Sequence, residues 1–243
     1  MHPKGVVVRR EGAGASLLDA ADVKALGLDP GTGDAFGAGV AMVLPTELAL
    51  PEPFTVMGLR EAWGALGEAQ FMAAGTATQI VEWQATHRFC GRCATPTERV
   101  AGERCMKCPS CGLMAYPRIA PAVIVLVRRG EEALLARGAR FPLPFYSTLA
   151  GFVEVGETLE QTVVREIREE VGIEVKDALY FGSQPWPFPH SLMVGFTAQW
   201  AGGDIRCEPK EIADAAWFRR DALPPIPPPV SIARRLIDAW TTG

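Results

Sequence analysis

Glu166, Glu169 and Glu170 stand at i, i+3 and i+4 of one charged run. On a helix of ~3.6 residues per turn their carboxylates share a face. Carboxylates crowded in this way repel one another. The cluster persists most easily when hard cations bind it, because Mg²⁺ or Mn²⁺ prefers oxygen ligands and bridges to phosphate. Cys90, Cys93, Cys108 and Cys111 form a second set, spaced C-x2-C-x14-C-x2-C. Each pair suits a tight knuckle that turns two thiolates toward one tetrahedral Zn²⁺. Disulfides are the competing use of four cysteines, but adjacent x2 pairs suit a metal better than cross-links. Cys105 makes a further C-x2-C pair with Cys108 and is an alternative ligand, while isolated Cys207 reads as a small packing residue.

The elements around these residues must hold them in place. Thr158 followed by Gln161 is a capping box that starts a helix after the Gly156-Glu157 turn. Leu159, Val163, Ile167 and Val171 recur every four residues as a core-facing stripe, and Gly172 is a natural stop. The glutamates lie roughly 90° from that stripe by the helical period. A solvated face of i,i+4 ion pairs would use the same charges. Strands are expected over residues 122–127, 133–136, 146–152, 191–200 and 215–218. After a proline-rich connection over 223–229, Ser231 caps a last helix ending near Trp240. Pro185, Pro187 and Pro189 make residues 183–193 a stiff extended loop, neither helix nor central strand, presenting Trp186 and Phe188. A rigid aromatic wall suits a flat heterocycle, and the same aromatics would also serve as core packing.

Residues 151–173 read G-x5-E-x7-R-E-U-x-E-E-x-G-U, where U is a bulky aliphatic residue, and so resemble the Nudix box. Ten residues on, Ser183-Gln-Pro-Trp-Pro-Phe-Pro-His-Ser191 resembles the signature of the NADH pyrophosphatase family of Nudix hydrolases. The resemblance implies an α/β/α sandwich, within an α+β or α/β class, joined to a four-cysteine zinc ribbon and a separate N-terminal α/β domain. It implies metal-dependent splitting of NAD(H) into nicotinamide mononucleotide and AMP, and the same chemistry on an NAD cap at an RNA 5′ end. Two to three Mg²⁺ or Mn²⁺ ions would be held by Glu166, Glu169, Glu170 and, from a loop, Glu211, with one structural Zn per chain. Glu157 and Arg165 match box positions that tie loop to helix. Phe152 and Tyr116 match positions that sandwich a base ring, Tyr116 coming from the other subunit of a homodimer. Ile124, Gln184, Trp186 and Ala233 match further substrate contacts. His190 falls on a variable position.

Two other classes compete: a nucleotide-binding regulator without catalysis, and a zinc ribbon that binds nucleic acid. Arg88, Arg92, Arg99, Arg104, Lys107 and Arg118 offer the ribbon a basic surface. The net charge of -4 argues the other way, since nucleic-acid domains are usually strongly basic. With 243 residues, 48% hydrophobic, the chain can bury at least one substantial core. The expected division is 1–86 for the N-terminal domain, 87–117 for the ribbon and 118–243 for the hydrolase domain. In the first region residues 42–44 suggest the end of a strand, and residues 65–83 show helical periodicity. The apolar run 119–127 contains Pro121 and is too short to span a membrane. No signal-like apolar stretch opens the chain and no peroxisomal address closes it, so a cytoplasmic protein is expected.

Overall fold

The computed structural model describes residues 5–12, 14–29, 31, 33–36, 39–42, 44, 49–139 and 145–243. They form two compact units, Met1–Arg118 and Ile119–Gly243.

In the first unit, β1 (Val6–Glu11) lies between β2 (Gly14–Leu17) and β5 (Phe54–Met57), antiparallel to both. Three consecutive valines, Val6 to Val8, are buried there. Helix α1 (Ala20–Ala25) starts on an Asp19/Asp22 capping box. A hairpin follows, β3 (Asp34–Phe36) with β4 (Gly39–Ala41). Of the strand end expected at 42–44, Val43 lies outside the described residues. The helical periodicity resolves into α2 (Leu59–Ala65) and α3 (Glu68–Thr86), separated at Leu66 and Gly67, both in extended backbone. The cysteine segment forms three two-residue strands, β6 (Glu98–Arg99), β7 (Met106–Lys107) and β8 (Met114–Ala115). Arg99 pairs with Asp34 and stacks on Trp83, 5.0 Å from the ring centroid. Arg104 donates to the Ala35 carbonyl at 3.1 Å. With Arg88 over the Phe89 ring at 5.9 Å, three of the six basic side chains are engaged within their own unit.

The second unit is built on β9 (Ala120–Arg129), β10 (Glu132–Gly138), β11 (Leu149–Phe152), β12 (Glu174–Trp186), β13 (Ser191–Gly202) and β14 (Ile212–Arg219). The sheet order is β12-β13-β9-β10-β14, with β11 pairing the first half of β9. Among the described residues of this sheet, only the β13–β9 pairing is parallel. Alternation along β9 explains the layers, because successive strand residues face opposite sides. Val123, Val125 and Val127 join the cluster under α4 (Leu159–Val171). Ile124 and Leu126 join the cluster under α5 (Ile232–Thr242). The sheet is thus covered by one helix on each face, the expected α/β/α sandwich.

One expectation is corrected. Ser183 to Trp186 are not loop but the end of β12, paired with Val194 to Ser191 of β13. Proline is tolerated because β12 is an edge strand, where a missing amide donor leaves no partner unsatisfied. No described helix is long and apolar enough to cross a membrane.

Candidate active site and metal centre

Helix α4 forms as its sequence dictates. Thr158 Oγ1 accepts from the Gln161 amide at 3.2 Å, Gln161 Oε1 accepts from the Thr158 amide at 2.8 Å, and Gly172 closes the helix at φ 73°. Val163, Ile167 and Val171 are fully buried against the sheet. That docking turns the glutamate face toward β11.

The three helical glutamates do not share one environment. Glu166 retains 13% of its side-chain exposure and Glu169 59%, whereas Glu170 is buried. Glu170 Oε2 is buried with no hydrogen-bond partner. Burial first, then Glu166, Glu211 and Glu169 in that order, push the Glu170 carboxyl up to about 8. Burial also raises Glu166 against the pull of Arg165, with Glu169 and Glu211 adding repulsion. A cation would relieve both effects at once. Glu166 and Glu211 therefore lie near enough to act on Glu170, and the orphaned Glu170 oxygen is a donor that a hard divalent ion would take. Glu169 sits at the rim.

Glu211 arrives by backbone pairing to the end of α4. The Arg206 amide donates to the Val171 carbonyl at 2.8 Å and the Glu208 amide to the Glu170 carbonyl at 2.9 Å. A turn then closes from the Glu211 amide to Glu208 O at 3.0 Å, just before β14. Sequence spacing alone does not reveal this approach, since it depends on β14 joining the far edge of the sheet.

Arg165 is more than a loop tie. Its Nε donates to Glu157 Oε1 at 2.6 Å, its Nη1 reaches Glu166 at 2.9 Å and Glu169 at 3.0 Å, and its Nη2 donates to the Phe152 carbonyl at 2.9 Å. The guanidinium, with the Glu154 amide and the Thr162 hydroxyl, holds the Glu157 carboxyl down to about 2. One cation thus fixes the box loop, two cluster carboxylates and the backbone of the aromatic at 152.

Gly151 is a site residue that reading by side-chain chemistry misses. A Cβ there would lie 1.8 Å from Glu166 Cδ, so the bare backbone is the seat of that carboxyl. Its only sequence signal is the fixed glycine that opens the box. Gly151→Ala is expected to fold, because the methyl meets the end of a flexible side chain. It should lose roughly tenfold or more in kcat/KM, because a displaced carboxyl no longer meets its ion. Thermal melting beside an activity assay checks both parts; full activity would show that Glu166 does not need this seat.

The proposed substrate positions divide into two groups. Phe152 is 57% exposed, and Trp186 lies at the β12–β13 turn with its ring edge-on to Phe188 at 5.2 Å. Ile124, Gln184 and Ala233 are buried, with Ile124 and Ala233 in the cluster under α5. Tyr116, in the other unit, is 54% exposed.

In the ribbon, the four sulfurs of Cys90, Cys93, Cys108 and Cys111 lie within 4.8 Å of one another. Two pairs, Cys90–Cys111 and Cys93–Cys108, are 3.5 Å apart. A tetrahedral ion with Zn–S of ~2.3 Å places sulfurs ~3.8 Å apart, so the cage fits zinc. The two knuckles are built alike. The Ala94 amide donates to Cys90 O at 2.9 Å and the Gly112 amide to Cys108 O at 3.0 Å, with φ of 58° and 74° at these turn residues. The Arg92 amide points at Cys90 Sγ, 3.4 Å away, and lowers the thiol's pKa; hydrogen bonding with Thr95 brings Cys93 to about 6. Cys105 is fully buried and stands outside the cage.

A sandwich with a helix-borne carboxylate cluster opposite a glycine seat defines a Nudix hydrolase. The NUDIX domain matches residues 118–240, and the chain belongs to that family of hydrolases. Upstream, the NADH pyrophosphatase zinc ribbon domain matches residues 85–116. The NAD-capped RNA hydrolase NudC of Pseudomonas aeruginosa is 53% identical over 200 residues, covering 79% of this chain and 71% of that protein. Its namesake in Deinococcus radiodurans is 48% identical over 206 residues, covering 83% and 74%. A solved NUDIX hydrolase from Nitrosomonas europaea, 22% identical, shares the fold with a TM-score of 0.55 over 63% of this chain and 90% of that one.

Proposed function

We infer that the chain hydrolyses the pyrophosphate of NAD(H) to nicotinamide mononucleotide and AMP and removes NAD caps from RNA 5′ ends. What carries this reading is one chain holding both the orphaned Glu170 carboxyl in its cluster and an NADH pyrophosphatase zinc ribbon, beside its similarity to proteins named NAD-capped RNA hydrolases. The division of labour we propose is 1–86 as an N-terminal domain, 87–117 as a structural zinc module and 118–243 as the catalytic domain.

Glu166, Glu169, Glu170 and Glu211 would hold two or three Mg²⁺ or Mn²⁺ ions. When bound, such ions neutralise the pyrophosphate and lower the pKa of the attacking water. Arg165 holds Glu166 and Glu169 in one ion-pair cluster, and Gly151 leaves room for the Glu166 carboxyl. The base that takes the proton from water is drawn from Glu169, Glu170 and Glu211. Phe152 stacks on a base ring, and Trp186 walls the nicotinamide side. The RNA substrate uses the same site because its adenosine differs only by extension at the 3′ position. A reducing cytoplasm suits a four-thiolate site.

The deciding experiment supplies purified protein and Mn²⁺ with NADH, or with NAD-capped RNA, and separates the products. Nicotinamide mononucleotide with AMP, or with 5′-monophosphate RNA, is expected. Intact substrate in both reactions would favour a binding protein without catalysis.

We further propose a homodimer in which Tyr116 of a second copy completes the aromatic sandwich. Tyr116→Ala should raise KM by the loss of a stacking contact of ~1–3 kcal/mol and leave zinc content unchanged. Mixing Tyr116→Ala with Glu170→Gln chains should restore one intact site per heterodimer. No rescue in demonstrated heterodimers would mean that Tyr116 serves its own chain.

A further inference from the structure

We propose that Gln184 is a positioning residue: its amide clamps the backbone on both sides of Ser231 and so sets where the start of α5 presents Ala233 to the substrate. The role of Ala233 rests on the NAD(H) reading above; the clamp does not.

Gln184 is buried, and both ends of its amide are engaged. Nε2 donates to the Val230 carbonyl at 2.7 Å, and Oε1 accepts from the Ile232 amide at 2.7 Å. Only this orientation of the amide satisfies both partners, since the flipped one sets oxygen against oxygen. Ile232 is the first residue of α5, and its N–H belongs to the turn that has no acceptor within its own helix. A side chain from β12 therefore acts as an extra peptide group, pairing with the connection as a neighbouring strand would.

The composition of that connection explains the need. Five of the six residues 224–229 are proline, so the segment has almost no amide donors with which to join the sheet. The tract can only accept: the Tyr146 amide donates to Pro225 O at 2.9 Å and Arg234 Nη1 to Pro227 O at 3.2 Å, and at its end Gln184 attaches Val230 and Ile232 to the sheet. The clamp also fixes packing. Ile232 lies against Gly195 of β13, where a Cβ would be 2.9 Å from Ile232 Cδ1. Ile232 and Ala233 share their cluster with Ile124. A shift of the α5 start would move Ile232 and Ala233 together.

Gln184→Glu tests this with little change of volume. While protonated, the new carboxyl donates its O–H to Val230 O and accepts from the Ile232 amide, so the clamp holds. Burial delays ionisation. Once ionised, it sets a charged oxygen against Val230 O and the clamp opens. At pH 8.5 the variant should show a KM for NADH roughly tenfold above wild type, with a smaller change in kcat. Amides 232–236 should exchange faster than in wild type at the same pH. The exchange difference should shrink toward zero at pH 6. Exchange at the start of α5 that matches wild type at both pH values would overturn the clamp. A changed preference between NAD⁺ and NADH with unaltered exchange would likewise overturn it and make Gln184 a direct substrate contact. If wild type leaves NAD(H) intact, the substrate reading falls, while the exchange measurement, which needs no substrate, still decides the clamp.

Discussion

Glu170→Gln is expected to lower kcat/KM by at least ~10²-fold at saturating Mn²⁺, comparable to the loss of one preorganised electrostatic contact. The change keeps the volume of a buried side chain and removes the charge that a divalent ion would meet. Its second signature lies in stability. Glu170 has a folded pKa of about 8, raised from the ordinary 4.5 by burial first and then by its acidic neighbours. Between those values the folded chain keeps a proton that the unfolded chain gives up, so metal-free stability falls as pH rises through this window. Wild type without metal should therefore melt at progressively lower temperature from about pH 5 to pH 8, and Glu170→Gln should lack that component. Adding Mn²⁺ should flatten the wild-type slope, because a cation substitutes for the proton. Near-normal activity in Glu170→Gln would remove the carboxylate from the metal assignment. Glu169→Gln is expected to impair activity as well, although its exposed side chain predicts no comparable effect on stability.

Cys108→Ser is expected to lose zinc and lower the melting midpoint by roughly 5–10 °C, because structural zinc contributes folding free energy directly. The ribbon's three strands have two residues each, and the segment's order depends on the ion that joins its knuckles. Elemental analysis of wild type should give about one zinc per chain. Cys105→Ser should keep its zinc, since that thiol stands outside the cage. Zinc retained in Cys108→Ser but lost in Cys105→Ser would put the second knuckle in the wrong register.

What the sequence determines here is local. The capping box at Thr158, the four-residue stripe on α4, the stop at Gly172 and the two knuckles each depend on contacts within a few residues. A short pattern therefore suffices to specify them. The continuous apolar run Ala122 to Val127 is legible as a buried strand for the same reason, since its composition needs no partner to be read. Tertiary structure decides the rest. Three glutamates that share a helix face acquire three different burials, because β11 and the loop before β14 cover one side of that face and leave Glu169 at the rim. Ser183 to Trp186 become the end of a strand because β13 is there to pair with them. Gly151 gains its meaning only when α4 docks and lays Glu166 across it. The same holds for Gln184, whose partners are 46 and 48 residues away in the chain. Distances between residues remote in sequence are set by how layers pack, and no periodicity along one chain encodes them.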